Sequence, residues 1–305
     1  MSKVLYRLLG GICCVLFVHA LAFFMLHQTR GGPFDQNQSL DPITKAALEK
    51  SYNLDQPLIN QYLNAVGGLF KGEFGPSLQF RGIEVKQLLA EALPISLTLG
   101  FGALFIAILI SFLASWTSLS KINSNSKKLF SSIATILLAT PNFVIAGLLI
   151  VILSFSLGWF PVAGDDSPLS FLLPCLALAL PLSAQIYTLI ADNAQIALQS
   201  TTYRSALARG LSKTRIFNQY VLRPSVTPVL AYLGPATAAL LTGSLVIEQI
   251  FALPGLGTFF VQAALARDYT LALGVTVCYT TLLAICTFIA DILLLVVDPR
   301  TREET

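Results

Sequence analysis

Apolar residues in this chain come in long blocks, not in short alternating or helically spaced patches. Six blocks reach the roughly 20 residues that a helix needs to cross about 30 Å of hydrocarbon. They cover residues 8–26, 95–116, 130–155, 171–191, 226–250 and 271–297. Lipid offers no hydrogen bonds, so each crossing has to satisfy its own backbone, and a lone strand cannot. The pattern therefore predicts an all-α, polytopic integral membrane protein with six transmembrane helices in one domain, residues 1–305.

The intervals between blocks refine this picture. Residues 28–94 form one long loop. Within it, Asp41-Pro42 precedes a short helix expected over 43–52, with Asp41 as its cap. Residues 58–70 read as an amphipathic segment lying on the membrane surface or on a neighbouring element, ended by Gly72, Gly75 and Pro76. The first block opens with Lys3 and Arg7 and contains a small-residue stretch at His19-Ala20-Leu21-Ala22, as a signal peptide would. Its apolar run continues past that point to Leu26, which favours an uncleaved first span.

Composition agrees with the membrane reading. Hydrophobic residues are 55% and charged residues 11% of the 305, against about 25% charge in soluble domains. The few charges are placed asymmetrically. One set of loops and ends carries Lys3, Arg7, Lys121, Lys127, Lys128, Arg204, Arg209, Lys213, Arg215, Arg223, Arg300 and Arg302. The short loops opposite carry only Arg267, beside Asp165 and Asp166. Positive charge stays in the cytoplasm, so both termini are expected there and loop 28–94 outside.

Candidate chemistry is sparse. The net charge of +3 gives no basic field for nucleic acid. The five cysteines, Cys13, Cys14, Cys175, Cys278 and Cys286, lie in apolar runs without metal-ligand spacing. Two histidines, His19 and His27, are too few for a His-rich metal site. There is no phosphate-cradling Gly-x4-Gly-Lys-Ser/Thr loop; Gly210-Leu211-Ser212-Lys213-Thr214 lacks the first glycine and the Gly-Lys pair. Neither a His-Glu-x-x-His nor a Gly-x-Ser-x-Gly motif occurs.

The informative polar stretch is 199–228, QSTTYRSALARGLSKTRIFNQYVLRPSVTP. Small residues Ser205, Ala206 and Ala208 sit beside basic ones, Gly210 breaks the helix, and Leu211-Ser212 can start another. Phe217, Tyr220, Val221 and Leu222 give the second piece an apolar face, and Pro224 and Pro228 are expected to end it and open the next span. Such a helix–glycine–helix with an apolar ridge and basic rim suits a docking knob; an ordinary basic loop that only fixes topology fits the same residues.

This segment resembles the cytoplasmic EAA loop of ABC-importer membrane subunits. Arg204 stands at the Glu position, Ser205 and Ala206 at the Ala positions, and Gly210 at the glycine; the ending is altered to Tyr220, Leu222, Arg223 and Pro224. The run Arg204-Ser205-Ala206-Leu207-Ala208-Arg209-Gly210-Leu211 is similar to the peptide-permease version of that loop. Other pieces agree in order along the chain: Gly31-Gly32-Pro33-Phe34, Tyr52-Asn53-Leu54-Asp55-Gln56-Pro57, Gly72-Glu73-Phe74-Gly75-Pro76-Ser77, Val246-Ile247-Glu248, Leu253-Pro254-Gly255-Leu256-Gly257, Arg267-Asp268-Tyr269 and Asp298-Pro299-Arg300. The chain resembles the B-type membrane subunit of oligopeptide and dipeptide permeases.

The resemblance implies a type I ABC-importer transmembrane domain in a bacterial inner membrane. It implies a homologous C-type permease subunit, two ABC ATPase subunits and an extracytoplasmic peptide-binding protein as partners. ATP would be hydrolysed by the partners; this chain would bind no cofactor and act on no bond. The coupling loop 199–224 would present Arg204, Ser205, Ala206, Arg209, Gly210, Leu211, Lys213, Leu222 and Pro224 to an ATPase. Glu248, Pro254, Gly255, Gly257, Arg267 and Asp268 would lie on the binding-protein side. Related permeases for nickel, glutathione or antimicrobial peptides remain open. So does an ion-coupled secondary transporter using Asp192, Glu248 and Asp291, since acids inside membranes often mark ion pathways.

Overall fold

The computed structural model describes residues 2–28, 32, 34, 41, 43, 49–80, 82–120 and 124–297. The helices are α1 (Ser2–Gln28), α2 (Leu58–Lys71), α3 (Val85–Ser120), α4 (Ser124–Ala139), α5 (Asn142–Leu149), α6 (Leu172–Gln199), α7 (Thr201–Ala208), α8 (Lys213–Ile216), α9 (Arg223–Ile250), α10 (Leu256–Ala266) and α11 (Tyr269–Val297). Wide π turns extend α5 over Ile150–Ser156 and join α8 to α9 over Phe217–Leu222. Among the described residues, five helical stretches are long and apolar enough to cross a membrane, and six if the bent α4–α5 pair counts as one.

Two expectations need correction. The helix that carries the second apolar block begins at Val85, within the expected loop 28–94, and holds Pro94 inside it. A proline within the third block, 130–155, calls for a kink, and the structure has one. Pro141 breaks it, and the two arms diverge by 107°. Pro141 sits in extended backbone (φ −60°, ψ 144°), and proline has no N–H to continue the ladder. Pro224 opens the helix of the fifth span as expected, but it does not end the segment before it, and Pro228 lies inside that helix. The π turn over Phe217–Leu222 runs straight into α9, with proline in its first turn, where an intrahelical N–H is not needed. Of the short helix expected over 43–52, residues 43 and 49–51 are helical and a turn follows at 52–55. Residues 42 and 44–48, and the Asp298-Pro299-Arg300 stretch, lie outside the described residues.

The chain forms two compact units. The first comprises Met1–Ser96 and Pro254–Ala284. Its core joins Val85, Leu88, Leu89 and Ala92 of α3 to Leu256 and Ala263 of α10 and to Leu271, Ala272 and Val275 of α11. The α3 residues recur at i, i+3, i+4 and i+7, the spacing of one helix face. Gly274 faces Val85 at a distance that leaves no room for a side chain; an added Cβ would stand 2.6 Å from Val85 Cγ1. Ser96 Oγ accepts a hydrogen bond from the Leu256 N–H (2.9 Å) and so holds the start of α10. Against α1, Tyr62 of α2 packs its ring on His19, Phe23 and Phe24. α2 ends in a Schellman motif, with Gly72 left-handed (φ 72°), Gly72 N–H bonded to Leu69 O and Glu73 N–H to Gly68 O.

The second unit comprises Leu97–Leu253 and Ile285–Thr305. α6 is its centre. Its buried residues, including Leu173, Leu178, Leu182, Ile186 and Ile190, lie all round the helix, as expected for a bundle interior. Small residues set the spacing. A Cβ on Gly102 would stand 2.8 Å from Cys175 Sγ, and one on Gly100 would meet Leu241. Ala134, Ala184, Tyr187 and Ala191 pack α4 on α6.

Candidate functional site

The polar stretch 199–224 folds as a helix–turn–helix knob on the end of α6. Ser200 leaves α6 in extended backbone (φ −68°, ψ 150°), and its Oγ accepts from Tyr203 N–H (3.1 Å), capping α7. α7 stops after eight residues. Gly210 then takes φ +70°, and its N–H donates to Leu207 O (2.9 Å). A Cβ at Gly210 would meet nothing within 4 Å, so glycine is needed for backbone conformation and not for space. α8 starts with Ile216 N–H donating to Ser212 O (3.0 Å).

The knob has a packed base and an open tip. Val221 is buried against Ala194 and Ala197 of α6, with Leu119, Tyr203 and Phe217 closing the cluster. Phe217 meets Trp116 of α3 edge-on, with ring centroids 5.6 Å apart. Ala206, Ile216 and Leu222 are buried as well. At the tip, Arg204, Ser205, Leu207, Arg209 and Gly210 are exposed and Leu211 is half-buried. Arg209 Nη2 donates to Tyr220 OH (3.1 Å), and its guanidinium lies 5.9 Å from that ring's centroid. Arg209 thus ties the two arms of the knob together. Pro224 is exposed at the start of α9. The side chain of Lys213 lies outside the described ones.

The expected coupling residues therefore divide by environment. Arg204, Ser205, Arg209, Gly210 and Leu211 gather on one small surface, while Ala206 and Leu222 support it from beneath. Phe217 and Tyr220, expected on the apolar face of the second piece, pack as that reading has it, whereas Ser200 and Tyr203 do not figure in it. A serine directly before a short helix was a legible cap signal.

The second residue set is largely internal. Glu248 is fully buried in α9 and accepts from Ser244 Oγ (2.8 Å), one helical turn earlier. In the first unit, Pro254 is exposed, and Gly255 and Gly257 are buried at the start of α10. α10 itself was unforeseen, since its eleven residues are too few to span and were taken into a loop. Arg267 ends it in the left-handed region (φ 55°).

Asp268 is fully buried and works as a hub. Oδ1 accepts from Thr270 Oγ1 (2.9 Å) and Leu271 N–H (3.0 Å), capping α11. Oδ2 accepts from Gln79 N–H (3.0 Å) and from Ser77 Oγ. Thr270 Oγ1 also reaches Pro76 O (2.8 Å). One carboxylate thereby pins the 76–80 turn to the start of α11.

The sequence was compared with known proteins. The family profile described as "binding-protein-dependent transport system inner membrane component" matches residues 107–303. The oligopeptide transport system permease protein OppB of Haemophilus influenzae is 35% identical over 300 residues, 97% of both chains. The protein of the same name in Escherichia coli K12 is 35% identical over 301 residues, 98% of each. The dipeptide transport system permease protein DppB of Lactococcus lactis is 34% identical over 303 residues, 99% of this chain and all of the relative. Among solved structures, an amino acid ABC transporter crystallised with histidines superposes with a TM-score of 0.56 at 20% identity. It covers 68% of this chain and 93% of its own, a likeness of fold.

Proposed function

The chain belongs to the family of binding-protein-dependent transport system inner membrane components, and from that premise we propose that it is the B-type permease subunit of an ATP-driven peptide importer. The identity of about a third across nearly the whole length to oligopeptide and dipeptide permeases is the observation that carries this reading. The chain is a multi-pass membrane protein of an importer system. A homologous C-type permease would complete the path, and two ABC ATPases would dock on the knob around Arg204–Gly210 from the cytoplasm. Both termini would share that side with the knob. An extracytoplasmic binding protein would deliver peptide from the other side. ATP would be bound and hydrolysed by the ATPases. This chain would bind no cofactor; its work is mechanical.

The knob's build suits that work. Its base is packed on α6 and runs without a break into α9, so a displacement of the tip is carried to both helices. Closing of the ATPases would move the tip, and rigid-body motion of the spans would expose the path alternately to each side. Peptides are favoured over nickel or glutathione because the matched relatives are named for oligopeptides and dipeptides.

Purification of the tagged chain from its host in mild detergent tests the assembly. A second permease and ATPases should co-purify, and proteoliposomes carrying the assembly should accumulate labelled tripeptide in the presence of ATP and binding protein. Uptake driven by a proton gradient without ATP would overturn the proposal in favour of an ion-coupled transporter.

A further inference from the structure

The first unit holds a half-open cavity of about 370 Å³ between the end of α1, α2, the 73–78 turn and the start of α11. That volume falls in the range of small-molecule sites, about 300–1,000 Å³. Its walls include the rings of Phe23, Tyr52, Phe74 and Tyr269, with Glu73 and His19 among its other residues.

These features select a ligand chemistry. Aromatic faces attract cations through their quadrupole. A carboxylate adds charge of the complementary sign, and Glu73 is exposed, so it stands at the rim. Among the described residues, no lysine or arginine lines the cavity to oppose a cation. We propose that this cavity binds a protonated amine carried on a small apolar body, with the ammonium toward Glu73 and the apolar part among the rings. Two sources share that chemistry: the α-ammonium end of a peptide, and the ethanolamine headgroup of a phospholipid. The inference rests on the cavity and not on the cargo reading; failure of peptide uptake would leave it standing.

The test titrates 2-phenylethylammonium into the full chain, with its co-purifying partners, in phosphatidylglycerol nanodiscs. The neutral isostere 2-phenylethanol serves as control. The ammonium compound is expected to bind at least about tenfold more tightly than the alcohol. Glu73→Gln, an isosteric change at an exposed side chain, is expected to weaken the ammonium several-fold and leave the alcohol unchanged. Ala65→Leu, which fills the cavity from α2, should abolish both. Equal affinity for amine and alcohol, no binding of the amine, or indifference to both substitutions would overturn the proposal. Competition by Phe-Ala but not N-acetyl-Phe-Ala would identify the peptide end as the source. Displacement on replacing phosphatidylglycerol with phosphatidylethanolamine would identify the lipid.

Discussion

In the proposed importer, Gly210 is the position at which backbone conformation and transport would be most directly joined. Its φ of +70° lies in the left-handed region, where a side chain costs about 1–2 kcal/mol. No steric term adds to this, because a Cβ would meet nothing within 4 Å in this chain. Alanine should therefore lower the population of the observed turn by roughly tenfold, since about 1.4 kcal/mol is a factor of ten. Asparagine visits the left-handed region readily and should cost little. Proline fixes φ near −65° and removes the N–H that donates to Leu207 O, at a cost of about 3 kcal/mol or more. Uptake and ATPase activity in proteoliposomes, with membrane insertion checked separately, should fall in the order Gly, Asn, Ala, Pro. Gly210→Pro should insert normally and uncouple ATP hydrolysis from uptake. Normal uptake by Gly210→Pro would refute the coupling assignment. If Asn were as damaging as Pro, the conformational argument would fail, because the glycine would then be needed for a partner's approach.

Other sites lend themselves to the same treatment. Asp268→Ala removes the acceptor of four hydrogen bonds and strands the buried donors around it; a loss of about 3 kcal/mol or more is expected, read as a clear drop in thermal midpoint in detergent. Gly102→Ala places a Cβ 2.8 Å from Cys175 Sγ and should destabilise by about 1–3 kcal/mol; adding Cys175→Ala should restore most of that, and additive losses in the double variant would contradict the close approach. Ser200→Ala removes the cap of α7 at a cost of about 1 kcal/mol, seen as faster hydrogen exchange across 201–208 with little change elsewhere.

The extent to which the sequence disclosed this arrangement follows from the range of each interaction. Block length and apolarity are local, so the spans were legible to within about ten residues. The start of α3 was missed because 85–94 mixes Lys86, Gln87 and Glu91 with a core stripe that only the packing of α10 and α11 makes apparent. Pro141 announced a break, but the direction of the 107° turn depends on what α4 and α5 pack against. The π turn over Phe217–Leu222 has no compositional signature, and Pro224 pointed to the opposite outcome. At the knob, the Gly210 break and the caps are near-neighbour effects and could be read directly. Asp268 stood in a segment expected to face outward, yet its partner Ser77 lies 191 residues away in sequence, beyond any local pattern.

The same geometry bears on how force could pass through the second unit. A coupling element on flexible connections would absorb displacement before moving a span. Here one arm leaves α6 through a single capped residue, Ser200, and the other enters α9 through a π turn with no coil between. The two arms are clamped to each other by Arg209 on Tyr220 and to the bundle by Val221 on Ala194 and Ala197. Phe217 against Trp116 brings α3 into the same contact set. The knob's one left-handed glycine sits at its exposed tip, where a partner would grip, and not at its root. In the proposed importer, compliance would thereby be confined to the docking surface, and the three helices beneath it would receive the motion together.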